Sequence, residues 1–182
     1  YIVFLNCIYD LLTDSVLDFS EDLACWLSVN ANYLFPLDGE EFPESYQLLK
    51  SRAMNEDSES MKMLDYTTAL LFMNRSVKHF FVAGNASNSG KSVYFSFVDR
   101  LMPSGRVMHF EPEDLGGNFG LDGIGTAALV SCADVQTKEF DEKRVSVIKR
   151  LTGDSYVRAN RKHRGAVEER VFTKILFGTN GG

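Results

Sequence analysis

The sequence lacks any apolar run approaching the ~20 residues needed to cross a bilayer, so no membrane segment is expected. Cysteine is scarce. Cys7, Cys25 and Cys132 are widely separated, odd in number and without C-x-x-C spacing, which argues against a disulfide framework and a thiolate zinc site. A reducing, cytoplasmic compartment fits that usage. There is no internal repeat and no low-complexity tract, so solenoid and disordered classes fall away. The chain opens on Tyr1 without Met or a charged leader and closes on Gly181-Gly182 directly after an apolar, strand-like run. It is therefore expected to be a piece of a longer protein.

What is present is the composition of a folded protein. At 182 residues and 45% hydrophobic content, the chain is long enough for one complete domain and part of another, at roughly 100 to 200 residues per domain. A net charge of −6 would by itself count against a polyanionic partner, but the charges are segregated. Residues 1–57 carry 11 acidic and 2 basic side chains, whereas residues 143–174 carry 10 Lys/Arg and 3 acidic ones. A polyanion, if bound, is expected on the C-terminal part.

Residues 1–19 alternate short apolar runs with Asn6, Asp10, Thr13-Asp14 and Asp18, which predicts small strands with tight turns. After a Pro/Gly/acid loop, the spacing turns helical through "ESYQLLKSRAM" and "SMKMLDYTTALLFM", with 55–60 as a linker. From Lys78 the pattern becomes strand ("KHFFVA"), turn, helix ("KSVYFSFVDRLM") and strand ("RVMHF"). A Gly-rich loop then precedes the strand "TAALVSCA". The amphipathic "FDEKRVSVIKRL" predicts a helix, "SYVRANRKHRGAVEERV" a hairpin and "TKILFGTN" a last strand. The layout is α/β with buried parallel strands.

The turn between the first of those strands and its helix carries Gly90-Lys91-Ser92. A triphosphate needs backbone N–H groups at a helix N-terminus, a lysine that reaches the outer phosphates and a hydroxyl for Mg²⁺, and these three residues supply that set. The strict pattern has glycine five residues before Gly90, where this chain has Asn85 with Gly84 one step earlier; Asn tolerates left-handed backbone better than most residues. Gly84, Asn85, Asn88, Ser89, Gly90, Lys91 and Ser92 are thus the expected nucleotide-binding residues. Such a site also wants an acid at the end of a neighbouring strand for the metal shell. Asp134, closing "AALVSCAD", is that candidate, with Ser92 as the other metal ligand; Glu139 is either a water-activating partner or an ordinary helix-start acid.

Arg158, Arg161, Lys162, His163 and Arg164 concentrate cations around a turn, suited to salt-sensitive, sequence-independent phosphate contacts, though a basic run is equally a solvated loop. Trp26, Tyr33 and Phe35 offer either a base-stacking platform or a small core, the second being simpler. Met61, Met63 and Met73 read as packing. Asp10, Asp14 and Asp18 recur every four residues but fall among turns facing water, and no acid cluster fit for two metals is present.

Four segments together resemble the superfamily 3 helicases of small and large DNA viruses, phages and plasmids. "NSGKS" is similar to the end of that family's Walker A motif, "LVSCAD" to its Walker B strand, "IKRLTGDSYVRANRKHRGAV" to the stretch leading into its DNA-reading hairpin, and "TKILFGTN" to its sensor strand. The resemblance covers about residues 78–180, and "FLNCIYDLLTDSVLDFS" more weakly resembles the region before the helicase domain in phage, plasmid and large-virus primase-helicases. It implies an AAA+-like P-loop NTPase sheet with helices on both faces at 78–182, incomplete at its C-terminus. A small α+β or helical segment at 1–57 and a helical collar at 58–77 would precede it. It implies ATP and Mg²⁺ as cofactors, with Lys91 on the β and γ phosphates, Ser92 on the metal, Asp134 as the Walker B acid and Asn180 as the sensor. Lys162 and His163 would sit at the hairpin tip on single-stranded DNA, in a homo-oligomeric ring, a hexamer, inside a host cell. The family often has two adjacent acids where this chain has Ala133 and Asp134, and its arginine finger lies after the sensor strand. An ATP-hydrolysing replicative helicase is the leading expectation. A DNA-binding assembly module that uses nucleotide as a switch remains the alternative, and a small-molecule kinase lacks a recognisable lid.

Overall fold

The structure is a computed structural model that describes every residue except 24, 26, 35–42, 74, 76–80, 85–88, 118–119, 137, 139, 154–155, 162–164 and 181–182. The chain divides into two compact units, one of Tyr1–Asn74 with Asn88–Pro103 and one of Arg75–Ser87 with Ser104–Gly182. Among the described residues no helix is long and apolar enough to cross a membrane.

The first unit opens with an antiparallel meander of three short strands, β1 (Ile2–Val3), β2 (Ile8–Asp10) and β3 (Ser15–Leu17), in that spatial order. Its turns use the acids found in the sequence. Asp10 Oδ1 accepts from the Leu12 N–H at 2.9 Å, and Asp14 sits at φ 52° and accepts from the Tyr9 hydroxyl, which pushes that phenol's pKa up to about 12. Two helices follow, α1 (Glu44–Ala53) and α2 (Ser58–Phe72). The expected linker at 55–60 is shorter than its composition indicates. The Asp57 side chain accepts from the Ser60 N–H at 2.8 Å, so the helix starts at Ser58.

One carboxylate ties those helices together. Asp65 accepts from the Tyr46 hydroxyl at 2.7 Å and from Lys50 Nζ at 2.8 Å, with Lys50 itself buried. Desolvation and that hydrogen bond drive the Tyr46 pKa upward. Leu64, Leu71 and Phe72 form the buried stripe of α2. Met63 does not join it as expected: it is 62% exposed, because one residue before Leu64 lies about 100° round the helix from the buried face.

Helix α3 (Lys91–Leu101) also belongs to this unit and buries Tyr94, Phe95 and Val98. The Tyr94 hydroxyl and Thr68 Oγ1 lie 2.9 Å apart, linking α3 to α2. At its other end, the Asn30 backbone N–H donates to the Leu101 carbonyl at 2.7 Å, satisfying a group left over at the helix terminus.

The second unit is built on a four-stranded, all-parallel sheet: β4 (Phe81–Gly84), β5 (Val107–His109), β6 (Leu129–Cys132) and, last in sequence, β9 (Lys174–Thr179). Their spatial order is β4-β9-β6-β5, so β9 lies between the first strand and β6. All four residues of β6 are buried, as continuous apolar character in a parallel strand predicts. Helix α4 (Glu142–Gly153) buries Val147, Ile148 and Leu151, which join Val130, Ile175 and Phe177 in one core. An antiparallel hairpin, β7 (Tyr156–Arg161) and β8 (Gly165–Arg170), separates α4 from β9.

Candidate functional site

Lys91 and Ser92 occupy the first turn of α3, and Gly90 is its N-cap in the left-handed region at φ 89°. A side chain there would be strained by that backbone and would stand 3.2 Å from Leu49 Cδ1. Glycine is therefore what lets the chain turn into this helix. The Tyr94 N–H already donates to the Gly90 carbonyl at 3.0 Å, which leaves the amides of 91–93 as the ones without an intrahelical acceptor. Lys91 is half-buried and its Nζ donates to Ser89 Oγ at 3.4 Å, while Ser92 is exposed. A lysine, a hydroxyl and the first-turn amides of a helix are a donor set that fits a phosphate with its magnesium. Of the other expected nucleotide-binding residues, Gly84 ends β4, and Asn85 and Asn88 lie outside the described residues.

In the second unit, β6 and β9 are adjacent and in register, Cys132 opposite Phe177. Each is followed within two residues by a predicted site residue. Asp134 and Asn180 are both exposed, and Asn180 Nδ2 donates to Asp134 Oδ1 at 3.0 Å. The Val135 N–H donates to the Gly178 carbonyl at 2.7 Å, which fastens the segment after β6 to β9. The fold thus joins two residues 46 positions apart at the carboxyl ends of parallel strands, where open α/β sheets bind ligands. A lone carboxylate with water and phosphate oxygens is how Mg²⁺ is usually held. Among the described residues no group of three or more His, Cys, Asp or Glu is placed to hold a metal without such help. Glu139 lies outside the described residues.

The basic hairpin has the predicted form, with Arg161 paired opposite Gly165; Lys162, His163 and Arg164 lie outside the described residues. Alternation along β7 gives its two arginines different surroundings. Arg158 is exposed, whereas Arg161 donates through Nε at 2.9 Å and Nη2 at 2.5 Å to Glu169 Oε1, an ion pair that raises the Arg161 pKa further. Glu169 is only 8% exposed, and its other oxygen accepts from the Gly125 N–H at 2.6 Å. Sequence reasoning missed Glu169 and Gly125 because their link spans 44 positions. Of the aromatic residues considered for base stacking, Trp26 and Phe35 lie outside the described residues, and Tyr33 packs against Phe4 and Tyr9 with ring centroids 5.2 Å apart in each pair.

Comparison with known proteins gives a family and a fold. A family model described as "Family of unknown function (DUF5906)" matches residues 82–181. Among solved structures, the apo structure of the NrS-1 C-terminal region (305–718) superposes with a TM-score of 0.62 at 18% identity, over 78% of this chain and 35% of that one. An A-form apo structure of the same region gives 0.60 at 16% identity, over 77% and 33%. The chain thus shares the fold of part of that region and spans about a third of the length of those solved chains. No curated protein matches it.

Proposed function

The chain belongs to the DUF5906 family, one of unknown function, and on that footing we propose that it is part of an ATP-dependent replicative DNA helicase related to superfamily 3. The observation that carries this reading is the Asp134–Asn180 hydrogen bond at the carboxyl ends of β6 and β9. A carboxylate for the metal shell and an amide for orienting water are what phosphoanhydride hydrolysis requires, and the sequence resemblance assigns those two roles to these two residues. The Gly90 turn into α3 and the paired β7–β8 hairpin add support.

In this reading Lys91 neutralises the β and γ phosphates as a point charge, and Ser92 Oγ ligates Mg²⁺. Asp134 holds water in the metal's shell, and the Asn180 amide, fixed by Asp134, orients the water that attacks. Bound Mg²⁺-ATP supplies the phosphoanhydride whose cleavage drives the cycle. Arg158 with Lys162, His163 and Arg164 holds single-stranded DNA through its backbone, while Arg161, paired with Glu169, fixes the hairpin that presents them. Ring assembly, a hexamer in this reading, is proposed for the whole protein, of viral or phage type.

ATP hydrolysis should rise when single-stranded DNA is added and should be abolished by Lys91→Ala. Turnover unchanged in that variant sinks the reading. Ala133, where the family often carries a second acid, favours one rival, a DNA-binding assembly module that holds nucleotide as a switch. Nucleotide and DNA binding without DNA-stimulated turnover in the whole protein selects that rival.

A further inference from the structure

The second unit contains a pocket of about 490 Å³, within the range of small-ligand sites, lined by Leu115, Gly116, Gly117 and Leu121, by α4 and by the outer face of β7. Its polar lining is of one sign. Lys143 and Arg150 come from α4 and Arg158 from β7, and no carboxylate is among the lining residues. Lys143, Ser146, Val147 and Arg150 follow i, i+3, i+4, i+7 spacing, so they form one stripe along the helix. Arg158 and Asn160 are two apart on a strand and share a face. The three cations are exposed, and none makes an ion pair or side-chain hydrogen bond with another described residue. Glu168, the residue across the ladder from Arg158, makes no ion pair with it either.

Leu115, Leu121 and Val147 give the same pocket an apolar, buried floor. Three cations over such a floor, with Ser146 and Asn160 at the wall, match more than an inorganic anion. A phosphate would meet the cations, a sugar and base would cover the leucines, and the amide and hydroxyl would bond to polar edges. We propose that the pocket formed by Lys143, Ser146, Arg150, Arg158 and Asn160 binds one nucleotide unit of single-stranded DNA, gripping its backbone phosphate. A polymer is favoured over a free nucleotide because β7 runs on in sequence from Arg158 and Asn160 into Lys162, His163 and Arg164. A strand seated in the pocket therefore has more cations within a few residues. This rests on the nucleic-acid reading of the hairpin but not on ATP hydrolysis.

The test is fluorescence anisotropy of labelled oligo(dT) titrated with the full chain over a series of salt concentrations. The double variant Lys143→Gln/Arg150→Gln should weaken binding about ten-fold or more at low salt. It should also flatten the log–log salt dependence by about 0.7, the contribution of the one single-strand phosphate the pocket grips. Ser146→Glu, placing an anion in the pocket, should weaken it as well. All three positions are exposed, so unchanged circular dichroism melts are expected to show intact folds. Wild-type binding with both variants indistinguishable from it overturns the pocket and leaves the hairpin reading standing. A wild-type chain that ignores oligo(dT) overturns both. If that chain still binds dTMP, and the pocket variants do not, the ligand is a free nucleotide and the polymer assignment is wrong.

Discussion

Replacing Gly125 with alanine tests what holds the hairpin in place. The Gly125 N–H donates to the buried Glu169 carboxylate at 2.6 Å, and a Cβ added at 125 would stand 2.5 Å from Glu169 Oε2 and 3.1 Å from Glu169 Cβ. Oε2 can swing away, since it ends a side chain. The Cβ cannot, because it is fixed to β8, and moving the carboxylate gives up the bond to the loop. A hydrogen bond to a charged acceptor is worth about 1.5–3 kcal/mol, and forcing a methyl into a packed site costs about 1–3 kcal/mol. The unfolded chain loses entropy with alanine, which returns about 0.4–1 kcal/mol. Gly125→Ala should therefore destabilise the second unit by about 2–5 kcal/mol. At ~4–8 °C per kcal/mol for a unit of this size, that is a fall in Tm of roughly 8 °C or more. Thermal and urea melts of wild type, Gly125→Ala, Glu169→Ala and the double variant measure it. With Glu169 truncated to alanine the carboxylate and its hydrogen bond are gone and only the 3.1 Å Cβ contact remains, so Gly125→Ala should cost about 1.5–3 kcal/mol less in that background. Equal costs in both backgrounds would mean the methyl acts through the backbone, and the account of the hairpin's anchor would be refuted.

Lys174 has no exposed surface, and burial lowers its pKa from 10.5 to about 8, a displacement worth about 3 kcal/mol. The native state releases this proton before the unfolded state does, so unfolding free energy should climb with pH from about 8 to 10.5. Lys174→Met should remove that climb, and urea melts across the window in which the variant keeps the wild-type slope contradict the assignment. Asp65→Asn takes the carboxylate from buried Lys50 and from the Tyr46 hydroxyl, and should destabilise the first unit by about 3 kcal/mol in chemical denaturation. A loss below about 1 kcal/mol would show that Asp65 does not tie α1 to α2.

Period and punctuation made most elements legible. Alternation drew the hairpin, continuous apolar runs drew β6 and β9, and 3.6-residue spacing drew α1 to α4, because those signals are local. The start of α2 was misplaced because Asp57 reads equally as linker acid or cap, and only the Ser60 N–H decides which. Met61, Met63 and Met73 read as packing from their helix-compatible spacing, but the rotation that exposes Met63 depends on which face of α2 has something to pack against. The pairing of Asp134 with Asn180 could be anticipated only through resemblance, since residue types after two strands do not say which strands are neighbours. The pocket left a faint trace, a seven-residue interval between Lys143 and Arg150, and nothing in that interval points to Arg158.

The two arginines of β7 show why charge counted along a chain is a poor guide to charge offered to a ligand. Arg158 and Arg161 stand three residues apart in one basic run, and a strand sends odd separations to opposite faces. One face holds Val157 and Ala159, both buried, and ends with Arg161 gripped by Glu169. The other carries Arg158 and Asn160 into the pocket beside Lys143 and Arg150. Period two therefore divides the run into an anchor and an exposed, cationic edge. The anchor keeps β7 and β8 fixed to the loop at Gly125, and that fixity lets the edge present cations without reorganising when a polyanion arrives, so less ordering entropy opposes binding. The nucleic-acid interface proposed for this unit thus depends on a buried glutamate that never needs to touch nucleic acid.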